Sequence, residues 1–131
     1  MLRISIVLIA FVLMFQPSVC GDEKVLIEVA SDGETLEANV SHLAARCHFF
    51  LIVDSEGNLL EAVENPYKDT RGSAGVSAAS FLAKKNVTLV VAGNCGNKMK
   101  DALKAQEITF FEFEGIGEEA IKKILEKEGR P

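Results

Sequence analysis

Two histidines, two cysteines and an arginine are the side chains of this sequence best suited to ligand chemistry. His42, Arg46, Cys47 and His48 lie in one short polar stretch, and Cys95 follows Gly93-Asn94 and precedes Gly96. Imidazole nitrogen and thiolate sulfur are the donors that zinc, copper, other transition metals and iron-sulfur clusters take. The spacing names no metal, because no Cys-x-x-Cys pair is present. Cys47 and Cys95 have two other readings: a single disulfide, the simplest use of a cysteine pair in an exported domain, or two unpaired thiols. Arg46 adds a fixed positive charge and a fork of N–H donors suited to an anion. Gly93 and Gly96 add backbone that a ligand can approach closely.

Whether these residues meet depends on the elements that carry them. The run Val87-Thr88-Leu89-Val90-Val91-Ala92 is almost wholly apolar, so it predicts a central, mostly parallel strand covered on both faces. Binding sites in such sheets form at the carboxyl ends of strands, where Cys95 falls. Val25, Ile27 and Val29 mark a first strand that ends in the polar loop from Ser31. Phe49-Phe50-Leu51-Ile52-Val53 and Leu59-Leu60-Glu61-Ala62-Val63-Glu64 flank Asp54-Ser55-Glu56-Gly57-Asn58 and predict a hairpin that Asn65-Pro66 terminates. Gly72-Ser73-Ala74-Gly75 opens a helix with Ala78, Phe81 and Leu82 at core spacing. A second helix carries Met99, Ala102 and Leu103; a last strand covers residues 108–113; a third helix carries Ile121, Ile124 and Leu125. The order β-β-β-α-β-α-β-α predicts a ribonuclease H-like three-layer α/β/α architecture with a five-stranded mixed sheet. In it, the strands beginning near Val25 and Val87 are parallel neighbours. That topology brings His42, Arg46, Cys47 and His48 to the sheet edge where Cys95 sits.

Arg3, the apolar run of residues 4–15 (interrupted only by Ser5), Pro17 and then Ser18-Val19-Cys20 have the form of a signal peptide. The apolar run is shorter than the roughly 20 residues that span a bilayer. Residues 1–20 are therefore expected to be removed before Gly21, leaving residues 21–131 as one exported domain; an anchor through residues 4–15 is the alternative. Lys and Arg number 14 against 19 Asp and Glu, a net charge of −5 that disfavours nucleic acid as a partner. Asp32, Asp54 and Asp101 are scattered over turns and a helix, and do not form the carboxylate cluster of a two-metal nuclease. The domain reads as non-catalytic. Glu28, inside the first strand, reads as a rim residue; the alternative is a position facing a covering helix, where burial would raise its pKa. The free amides entering the helix at Gly72-Ser73-Ala74-Gly75 could attract an anion, although the Gly-Lys-Ser/Thr ending of a phosphate-binding loop is missing. A plain entry loop is the alternative there.

Phe50-Leu51-Ile52-Val53-Asp54, Glu64-Asn65-Pro66, Gly72-Ser73-Ala74-Gly75-Val76-Ser77-Ala78-Ala79, Val90-Val91-Ala92-Gly93-Asn94-Cys95-Gly96 and Ala102-Leu103-Lys104-Ala105 occur in order through the domain. Together they resemble the dinitrogenase iron-molybdenum cofactor biosynthesis family, the NifX- and NifY-like domains. The resemblance implies the ribonuclease H-like fold and a small domain that binds or carries metallocluster precursors, an iron-sulfur or molybdenum-type cluster among them, without catalysing a reaction. Where members commonly show a His-Phe-Gly-Arg-like signature, this chain has Leu43-Ala44-Ala45-Arg46, which retains the arginine. Glu107 stands where a glycine is usual, which predicts a differently capped end to the second helix. The alternative function is an exported, disulfide-bonded interaction module without metal, using the edge strand Leu59–Glu64 or Phe110-Phe111-Glu112-Phe113.

Overall fold

A computed structural model of the chain describes residues 25–127. The expected signal peptide, its cleavage site and the alternative anchor lie outside the described residues. The elements are β1 (Ile27–Ser31), β2 (Phe49–Val53), β3 (Leu59–Glu64), α1 (Ala74–Lys84), β4 (Leu89–Ala92), α2 (Asn97–Ala105), β5 (Thr109–Glu112) and α3 (Gly117–Lys127). They form one five-stranded sheet in the order β3-β2-β1-β4-β5. β1 is antiparallel to β2 and β2 to β3, while β1–β4 and β4–β5 are parallel. The expected mixed sheet, the parallel pairing of β1 with β4 and the hairpin at one side are all present. No helix among the described residues is long and apolar enough to cross a membrane.

Strand alternation sorts the side chains into two layers. Ala30, Phe50, Ile52, Val90 and Ala92 meet Ala78, Ala79 and Leu82 of α1 and Met99 and Leu103 of α2. Ile27, Val29, Leu51, Val53 and Val91 meet Ala120, Ile121 and Ile124 of α3. Every residue of β1 is buried. Each large apolar side chain buried in this way contributes about 1.5–3 kcal/mol, and a one-residue slip of β1 would exchange its two faces, so the register is fixed by both layers at once.

α1 and α2 end in the same way. Asn86 and Glu107 adopt left-handed backbone, with φ of 67° and 62°. After α1, the Asn86 and Val87 amides donate to the Ala83 and Leu82 carbonyls at 3.0 and 3.1 Å; after α2, Glu107 and Ile108 donate to Lys104 and Leu103 at 3.0 and 2.8 Å. This is the paired-bond helix stop that favours glycine at its left-handed position. The expectation of a different cap at Glu107 is therefore corrected: the backbone keeps the turn that a glycine would make, and the glutamate carries the strain. Asn tolerates left-handed φ better than Glu. Glu107→Gly should raise stability by about 0.5–1 kcal/mol, seen as a higher urea midpoint with an unchanged slope.

Candidate functional site

After β1 the chain loops across the carboxyl end of β4. Ser41 donates its amide to the Ala30 carbonyl at 2.7 Å, Gly93 to Ser41 at 2.8 Å and Ala44 to Asn94 at 3.1 Å. A Cβ on Gly93 would stand 3.0 Å from both Cα and O of His42, so close backbone passage is what glycine supplies there. The following segment is tied down by Asn65, which is 2% exposed. Its Nδ2 donates to the carbonyls of Ala45 at 3.0 Å and Cys47 at 2.9 Å, and its Oδ1 accepts from the Tyr67 amide at 2.8 Å. Arg46 Nη1 donates to the carbonyls of Lys68 at 3.0 Å and Thr70 at 2.6 Å, which fastens the 65–70 turn to the same loop.

Opposite this loop, α1 and α2 begin side by side. A Cβ on Gly75 would come within 3.1 Å of Met99 Cβ and 3.3 Å of its backbone nitrogen, so the two helix starts approach closely. Neither helix has a side-chain N-cap hydrogen bond or an acidic residue in its first turn. Gly96 enters α2 with φ 74° and ψ 155°, a region essentially confined to glycine. Between the helix starts and the loop lies a cleft of about 350 Å³, bordered by Arg46, Ser73, Gly75, Cys95, Gly96 and Lys98. Each helix start carries an effective charge of about +0.5 and unpaired amides, so both favour an anion, and Arg46 and Lys98 add full positive charges.

The loop residues expected at this rim do not all enter the cleft. Arg46 and Cys95 border it. Cys47 is fully buried beside it, its thiol donating to the Ala44 carbonyl at 3.5 Å. His42 and His48 are exposed, and His48 Nδ1 lies 3.5 Å from Lys68 Nζ. Among the described residues no three His, Cys, Asp or Glu side chains come together in a group that could hold a metal ion. His42, Cys47, His48 and Cys95 thus do not form a coordination sphere in this structure. Cys47 and Cys95 are free thiols, which corrects the disulfide alternative. Burial pushes the Cys95 thiol up to about 12, with Glu112 and Glu28 adding to the effect, and burial likewise raises Cys47. Both thiols are neutral near pH 7, so neither is the thiolate that exchange or metal ligation needs. Glu112, exposed on β5 and outside the cleft lining, holds the same turn: its Oε2 accepts from the Cys95 amide at 3.2 Å and pairs with Lys100 at 3.3 Å.

Glu28 is not a rim residue. It is completely buried, and neither carboxylate oxygen has a hydrogen-bond partner. Strand periodicity alone could have placed it on the α1–α2 side, because Ala30 two residues later faces that layer. Burial raises its pKa well above the usual carboxylate range. In the unfolded chain Glu28 loses its proton near pH 4.3, whereas the folded protein retains it. The folded state therefore loses stability as pH rises from that value through the folded pKa. Glu28→Met should stabilise by about 1–3 kcal/mol, and thermal melts should show the gain growing from pH 4 to pH 8.

The profile of the dinitrogenase iron-molybdenum cofactor family matches residues 23–127, which takes in the whole described region. The chain belongs to that family. Solved structures agree with the fold of this family member. The apo form of the orange protein from Desulfovibrio gigas is 27% identical, with a TM-score of 0.73, over 81% of this chain and 89% of that one. A Thermotoga protein proposed to be NifB, assigned to the DUF35 family, is 34% identical with a TM-score of 0.66, over 81% of this chain and 90% of that one. A proposed dinitrogenase protein of Methanocaldococcus jannaschii, 16% identical with a TM-score of 0.56 over 80% of this chain and 91% of that one, shares the fold. No curated protein matches the chain.

Proposed function

We propose that this family member is a non-catalytic binding domain whose cargo is an anionic metallocluster, or an oxo- or thiometallate precursor of one, taken up in the cleft between the starts of α1 and α2. The observation that carries this reading is the pair of side-by-side helix N-termini without side-chain caps, facing the loop that holds Arg46. They supply positive potential and N–H donors without a titratable ligand. Neutral thiols at Cys47 and Cys95 fit a cargo that brings its own sulfido or oxo ligands, held by charge and hydrogen bonds. The Cys95 side chain gives the floor a soft surface beside such a ligand. Membership of the family supports the cluster class, and the cleft's positive border supports a negatively charged cargo. The border of the cleft offers a serine and a thiol with no histidine beside them, which fits binding better than bond-making chemistry.

Calorimetric titration of the purified protein with tetrathiomolybdate and with molybdate tests this. Saturable binding of at least one probe is expected, weakened about tenfold by Arg46→Ala, the size of one lost charge-assisted hydrogen bond. Absence of saturable binding of either probe would overturn the reading.

Export belongs to the same proposal. Arg3, the apolar residues 4–15 and the small residues at Ser18 and Cys20 support removal of residues 1–20. The family match begins at residue 23, just beyond that boundary. Intact-mass measurement of the native protein should give an N-terminus at or near Gly21; a soluble form that retains Met1 would sink this part.

A further inference from the structure

Glu28 does not line the cleft, yet its register partners Ile52 and Val90 pack in the same buried layer as Cys47 and Cys95. It sits mid-strand in β1, opposite Ile52 of β2 and Val90 of β4. The layer on that side contains Ala78, Ala79 and Leu82 of α1 and Met99 and Leu103 of α2, all apolar. The titratable groups of that buried layer are two thiols, Cys47 from the loop before β2 and Cys95 from the turn after β4. Cys95 is also influenced by Glu112 of β5 and Lys100 of α2. With both oxygens unpartnered and fully buried, Glu28 has no protein donor or cation to stabilise its ionised form. The interior beneath the cleft is therefore a cluster of three acids, Glu28, Cys47 and Cys95, in low-dielectric surroundings. A negative charge on one disfavours a charge on the others.

We propose that Glu28 acts through Cys95 on the cleft, so that ionisation of Glu28 and occupation of the cleft by an anion exclude one another. Glu28 is then a positioning residue for charge: its proton keeps the floor neutral beneath the bound anion. When that proton leaves to solvent, the floor becomes negative and the anion is expelled. By linkage, the bound anion raises the affinity of Glu28 for its proton by the same factor. This inference rests on the cleft reading above.

Two measurements on the full domain separate the possibilities. In a Cys47→Ser background, the rate of Cys95 alkylation by iodoacetamide is followed against pH with Glu28 intact, with Glu28→Gln and with Glu28→Met. The rates should coincide at low pH and diverge above the Glu28 titration, where the intact protein should react about tenfold more slowly. Tetrathiomolybdate affinity of the wild type should likewise fall about tenfold more across the same interval than that of either Glu28 variant. Coincident alkylation rates at every pH overturn the action of Glu28 on Cys95. Divergent alkylation with parallel affinity profiles overturns the coupling and leaves anion binding intact. Absence of binding by all three proteins overturns the cleft reading and the coupling with it.

Discussion

Burial of β1 and β4 on both faces is the constraint from which the rest of the structure follows. The two strands are parallel neighbours, and their side chains are shared between the α1–α2 layer and the α3 layer. Strands covered in this way have no polar face to offer, so access to solvent opens at their ends. Both carboxyl ends leave the sheet at one edge, where the connection after β1 must cross the turn after β4. Arg46, Cys95, Gly96 and the starts of α1 and α2 are collected at that crossing. The same burial leaves Glu28 without a donor or water-facing side, so a group that would be unremarkable at the surface becomes an acid held neutral.

The crossing is made possible by a few residues that shape backbone. Gly93 lets the loop pass against β4, Gly75 lets α1 approach Met99, and Gly96 turns the chain into α2 through a conformation that other residues avoid. Asn65 satisfies two carbonyls of the loop and one amide of the next turn, so a buried side chain does the work of a short piece of sheet. Removing it would leave buried carbonyls unpaired, which costs more than the hydrogen bonds themselves gain. The helix starts can remain without side-chain caps because the helices are held by core packing of Leu82, Met99 and Leu103. Amides that capping would otherwise consume are left for a ligand.

The chain is acidic as a whole, with a net charge of −5, while its cleft is bordered by Arg46, Lys98 and two helix starts. A local positive site on an acidic domain admits a small anion and discourages a polyanion, whose many phosphates would meet the negative remainder of the surface. Neutral thiols complete that selection, since a bare metal ion would have to displace protons from two buried groups before binding.

The apolar pattern of the sequence determined the element order, the hairpin, the parallel partnership of the strands near Val25 and Val87, and the meeting of Arg46 with Cys95 at one rim. These are legible because period and topology are properties of which residues are apolar and in what order. Side-chain fates within a loop are not. Cys47 and His48 are adjacent in sequence, yet one is enclosed and the other exposed. That difference, and with it the loss of the expected metal set and disulfide, was decided by the path that Asn65 and Arg46 impose on the loop. Glu28 is the same lesson inside a strand: its identity suggested the surface, and its position between Ile27 and Val29 in a doubly covered strand left it no way there. Glu107 shows the converse, because the packing of Leu103 and Ile108 holds a left-handed turn whatever residue occupies it. Local residue type proposes a conformation or an exposure; where burial of the flanking apolar residues is worth more, the tertiary structure overrides it.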